Sequence, residues 1–75
     1  MGRLKPYTYR EVRRKLLSDG FIEVSQKGSH VKLSKVTTEG TRIVIVPCHT
    51  GDIPMGTLRS ILNQAGLSPD EFEAL

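Results

Sequence analysis

From Ser29 to Lys35 the side chains alternate without a break, with Val31 and Leu33 apolar and His30, Lys32 and Ser34 polar. Successive side chains of a β-strand point to opposite faces, so this segment reads as a strand with one face toward a core. His30 and Lys32 then share the other face. The strand has two neighbours in sequence. Phe21 to Ser25 reads as an earlier strand, reached through the turn Gln26-Lys27-Gly28-Ser29, where Gly28 tolerates positive φ. Arg42 to Val46 is a third, strongly β-branched strand that Pro47 stops, after a polar connection from Thr37 to Thr41 containing Gly40. Connections this short make the three strands an antiparallel meander.

Helical periodicity flanks the sheet. Thr8-Tyr9-Arg10-Glu11 is a capping box, and Tyr9, Val12, Leu16 and Leu17 follow as one apolar stripe. Ser18-Asp19-Gly20 ends that helix, with Gly20 suited to a left-handed cap. Arg10, Arg13 and Arg14 lie mainly off the stripe and face water or a ligand. After a loop from Cys48 to Pro54, a second helix runs from about Pro54 or Thr57 to Ala65, with Leu58, Ile61, Leu62 and Ala65 on one face. Asp52 is its candidate cap, and Gly66 ends it. Ser68-Pro69-Asp70-Glu71 opens a short terminal helix, with Leu67 and Phe72 spaced as a hydrophobic staple. The order is α-β-β-β-α plus a short helix, an α+β fold. Both amphipathic helices bury their stripes against one face of a three-stranded antiparallel sheet. The face carrying His30 stays open. This arrangement resembles the double-stranded-RNA-binding domain.

With 75 residues the chain is read as one domain, 1–75, with a thin core and no room for a large enclosed cofactor. Cys48 is the lone cysteine, so no internal disulfide forms and a reducing, cytoplasmic compartment is expected. Met1 to Arg14 lacks the apolar core of a signal peptide, and the longest apolar run, Ile43 to Val46, is far short of a membrane span. Charge is lopsided. Up to Lys35 there are nine Lys or Arg against three Asp or Glu, and from Val36 onward two against five. A basic half attracts a polyanion, RNA or DNA above all, although a solvated charged face carries the same signature.

His30 is the leading chemical candidate, because an imidazole gives or takes a proton near neutral pH. RNA cleavage needs little more: the substrate's 2′-hydroxyl is the nucleophile, and cations stabilise the charge that develops on phosphorus. Lys27 and Lys32 are close enough in sequence to supply the cations, and the Gly28 and Ser29 amides can touch a phosphate. The alternative is a surface histidine with no chemistry. His49, after Pro47-Cys48, is either a second acid/base or phosphate group or a loop histidine bonded to backbone. One cysteine and two histidines, two of them adjacent, do not supply the four ligands of structural zinc, so no metal site and no cofactor are expected.

Four segments in order resemble the HicA family of mRNA interferase toxins: Leu17-Ser18-Asp19-Gly20-Phe21, Gln26-Lys27-Gly28-Ser29-His30, Val46-Pro47-Cys48-His49, and Gly56-Thr57-Leu58-Arg59-Ser60-Ile61-Leu62. The resemblance implies an endoribonuclease that cuts mRNA, with His30 at the position of the catalytic histidine. It also implies a HicB-type antitoxin that binds and covers the site, and a role for Lys27, Gly28 and Ser29 in shaping it. Cys48 departs from the basic or polar residue expected there. Two other readings stand beside this one: a non-catalytic RNA-binding module of the same fold, and a protein-interaction subunit whose open face docks a partner.

Overall fold

The computed structural model describes residues 4–48 and 50–75. The elements run α1 (Tyr9–Ser18), β1 (Ile22–Lys27), β2 (His30–Thr37), β3 (Gly40–Pro47), α2 (Met55–Ala65) and α3 (Pro69–Glu73). The strands form one antiparallel sheet in the order β1-β2-β3, so the α+β, α-β-β-β-α reading and the likeness to the double-stranded-RNA-binding fold hold.

Local chemistry sets the boundaries. Thr8 caps α1 in a full capping box with Glu11. The helix stops in a Schellman turn: the Phe21 amide donates to Leu16 and the Gly20 amide to Leu17, with Gly20 at φ +104°. That turn delivers Phe21 into the core rather than into β1, which starts one residue later than expected. Gln26 and Lys27, expected in the turn, extend β1, because Gly28 at φ +60° and Ser29 close a two-residue hairpin by themselves. The polar connection expected from Thr37 to Thr41 likewise shrinks to Thr38 and Glu39. The Thr37 hydroxyl donates to the Gly40 carbonyl and accepts from the Glu39 amide, which lets β3 begin at Gly40. Pro47 belongs to β3 as its last residue, at a strand end where proline is tolerated.

Val31 pairs with Val46 and Leu33 with Val44, and all four are fully buried beneath α1 and α2. Val12 and Leu16 of α1 and Leu58, Ile61, Leu62 and Ala65 of α2 complete the layer. β1 contributes little to it: all six of its residues are exposed, and a bulge at Val24 shifts its register between Glu23 and Ser25.

One expectation needs correction, and one residue the sequence left unremarked is buried. Asp52 does not cap α2, whose N-cap is Pro54 with no side-chain hydrogen bond. Asp52 instead bridges Thr8, and the next amide, Ile53, donates to the Tyr7 carbonyl at 2.8 Å, so this loop is used to tie the α1 entry to the α2 entry. Lys15, in the basic half, is not solvated. It is buried, and its ammonium donates to backbone oxygens of Phe72, Glu73 and Leu75 at 3.3, 3.3 and 2.9 Å. It thereby caps the C-terminal end of α3, where a cation suits the helix dipole. Tyr7 is buried beside it, edge-on to Phe72 at 5.2 Å, with its hydroxyl donating to Glu73.

Candidate functional site

The pairing of the strands arranges the open face in rows. At one end Lys27, His30 and Pro47 lie side by side across β1, β2 and β3. The next row is Ser25, Lys32 and Ile45, then Ile22, Ser34 and Ile43, and finally Val36 with Thr41. His30 is the first residue of β2 and stands exposed on the face opposite Val31, as the alternation required. Lys27 and Lys32 are exposed around it, one across the strand pair and one two residues along.

The turn beside His30 is held from behind. The Cys48 amide donates to the Ser29 carbonyl, and the Gln26 side-chain amide to the Gly28 carbonyl at 3.4 Å. The Gly28 and Ser29 amides donate to nothing among the described residues, so both are open to an anion next to His30. His49 lies outside the described residues.

The α1 arginines are not brought onto the same face. Arg10 and Arg14 are exposed and make no hydrogen bond or ion pair among the described residues. Arg13 is engaged: its guanidinium donates to Glu23 at 2.9 Å, and that carboxylate holds its pKa above the usual arginine range. Tyr9, Arg10, Glu11, Arg13 and Arg14 line a surface hollow on the helix layer, and Tyr9 and Cys48 line one groove beside it. The helix arginines and His30 therefore sit on different sides of one sheet end, with Cys48, hydrogen-bonded to Ser29 and lining a groove with Tyr9, between them.

Sequence reading missed the apolar part of the open face. Ile22, Val24, Val36, Ile43 and Ile45 are 61, 48, 80, 41 and 38% exposed. The signal was present in Ile43-Val44-Ile45-Val46, because a strand apolar on both sides is the pattern of a sheet covered on both faces. No helix among the described residues is long and apolar enough to cross a membrane.

No curated protein is similar enough in sequence to match this chain. The family model described as HicA toxin of bacterial toxin-antitoxin matches residues 9–67, a span that takes in α1, the whole sheet and α2. A match over this much of the chain shows that it belongs to the HicA toxin family of bacterial toxin–antitoxin systems.

Proposed function

We propose that residues 1–75 act as one toxin domain, a metal-independent endoribonuclease that cleaves mRNA in the cytoplasm with His30 as its acid/base group. The observation that carries this reading is the row Lys27–His30–Pro47, an exposed imidazole beside one lysine, one step from another, and next to two unpaired turn amides. The substrate supplies the nucleophile. The imidazole takes the proton of a 2′-hydroxyl, the 2′-oxygen bonds to the adjacent phosphorus, and the bond to the 5′-oxygen breaks. The departing oxygen takes up a proton, from the imidazolium or from water. The ends left are a 2′,3′-cyclic phosphate and a 5′-hydroxyl. Lys27, Lys32 and the Gly28 and Ser29 amides stabilise the negative charge that builds on the phosphoryl oxygens. Arg10, Arg13 and Arg14 follow the RNA backbone, with Arg13 the weakest contributor because Glu23 already holds it.

A HicB-type antitoxin covers the open face. Contiguous exposed aliphatic side chains on a small monomer mark an interaction surface, and here they continue directly from the His30 row. One partner laid over all four rows masks the imidazole and buries the aliphatic residues together.

The test is incubation of wild-type and His30→Ala protein with a defined mRNA in excess EDTA. Wild type is expected to yield cleaved RNA with cyclic phosphate ends, while His30→Ala stays folded and inactive. Intact RNA with both folded proteins would replace this reading with a non-catalytic RNA-binding module.

A further inference from the structure

Of the four aromatic side chains in the chain, Tyr7, Phe21 and Phe72 are buried. Tyr9 is the one aromatic a ligand can reach. It is half-buried, its inner side packed against the core, at the start of α1. It borders a groove of about 560 Å³ lined by Thr8, Tyr9, Arg10, Cys48, Thr50 and Gly51. The groove's neighbour on the same helix is the hollow that holds Arg10 and Arg14, both free of ion pairs among the described residues. Glu11, the one carboxylate there, is turned back to the Thr8 amide at 2.9 Å.

We infer that this groove is a nucleobase subsite, in which an unpaired base of the RNA stacks on Tyr9 while Arg10 and Arg14 hold the flanking phosphates.

The inference rests on the RNA-cleaving reading and extends it to the choice of where the strand is cut. Three features favour a base over other occupants. Unpaired bases are bound by stacking on aromatic rings, and the open sheet face offers no Phe, Tyr or Trp, its one ring being the His30 imidazole given to the chemistry. The cations beside Tyr9 suit a polyanion. The groove also continues from the His30 row: Pro47 is the cross-strand partner of His30, Cys48 follows it, and Cys48 hydrogen-bonds to Ser29 and lines the groove with Tyr9. One cross-strand step and one residue along the chain put the groove roughly 10 Å from His30, the scale of neighbouring nucleotides. Strand alternation turns Cys48 to the helix side and Pro47 to the open side. A bound strand therefore bends over the end of the sheet, with the scissile phosphate at His30 and a neighbouring base at Tyr9.

The experiment is a fluorescence titration of the non-cleaving His30→Ala protein with single-stranded oligoribonucleotides in which one 2-aminopurine is moved position by position. Stacking on tyrosine is expected to quench the probe at one position near the cleavage site. Tyr9→Leu, which keeps apolar volume against the core but has no ring face, should abolish that quench and raise Kd roughly 5- to 100-fold. Tyr9→Phe should keep both. The inference fails alone if RNA binds but no position is quenched. It also fails alone if folded Tyr9→Leu binds RNA as its parent does and instead loses affinity for antitoxin. Absence of RNA binding by the parent protein would remove the cleavage reading and this inference together.

Discussion

Lys15→Met tests whether a buried ammonium holds α3 in place. Lysine is almost never fully buried without partners, and Lys15 has three backbone oxygens and two ring faces, with Nζ 5.5 Å from the centroids of both Tyr7 and Phe72. Methionine has a similar stem, so packing changes little while the charge disappears. A hydrogen bond to a charged group contributes about 1.5–3 kcal/mol. Only the bond to Leu75, at 2.9 Å, is short enough to count in full, the other two being 3.3 Å. Removing the charge also removes its desolvation cost, which reaches several kcal/mol for a fully buried ion and is smaller here, since Lys15 keeps 7% of its surface. The balance is a loss of about 1–2 kcal/mol, and at about 4–8 °C per kcal/mol for a domain of this size the melting temperature falls by roughly 5–15 °C. Thermal unfolding followed by far-UV circular dichroism at neutral pH measures it. RNA cleavage well below both melting temperatures should not change, because Lys15 is on the helix side of the sheet. A Lys15→Met protein that melts at or above the wild-type temperature would mean that the ammonium's contacts do not outweigh its desolvation and that it does not hold α3 in place.

Alkaline stability should report Tyr7, whose pKa is pushed up to about 12 by burial and by its hydrogen bond to Glu73. The folded state then holds a proton that the unfolded chain gives up near 10, so stability is whole below pH 10 and lost between about 10 and 12; Tyr7→Phe should flatten that part of the curve, and identical slopes in the two proteins would refute the assignment. Val36→Ala combined with Ile22→Ala should weaken antitoxin binding roughly tenfold or more, as expected for aliphatic surface lost from an interface, and leave RNA cleavage intact. Native antitoxin affinity in that variant, by titration calorimetry, would put the docking surface elsewhere.

What the sequence made legible was whatever a short-range rule decides. Alternation through Val31 and Leu33 was enough to place His30 outward, because a one-residue slip would turn both core residues to solvent. The two capping boxes fixed the starts of α1 and α3. The failures come from longer-range competition. Lys15 lies three residues after Val12 and so falls on the buried stripe, but its residue type argues for solvent; partners 57 to 60 residues away decide the matter. Tyr7 and Val12 have the N′-to-N4 spacing of a staple across the Thr8 cap, a signal that could have marked Tyr7 as core. Asp52 has the chemistry of a cap, yet the Thr8 bridge takes its segment.

The apolar open face invites a plain explanation, namely that β-branched residues stabilise sheets through cross-strand pairing whatever lies above them. That explanation serves part of the face. Ile43 and Ile45, on edge strand β3 opposite Ser34 and Lys32, are 41 and 38% exposed, so more than half of each is already shielded by the protein. It does not serve Val36, 80% exposed opposite Thr41, or Ile22, 61% exposed on the bulged edge strand opposite Ser34. Those two gain little from neighbouring side chains and would be matched by threonine if pairing were the only requirement. They also sit away from the chemistry: Val36 is six residues along β2 from His30, roughly 20 Å at the rise of an extended strand. A surface that holds a histidine and two lysines at one end and unshielded aliphatics at the other is suited to two different tasks, a phosphodiester at the first and a protein over both. Masking by such a protein needs no contact that competes with catalysis, since affinity can come from the aliphatic rows while the imidazole is merely covered.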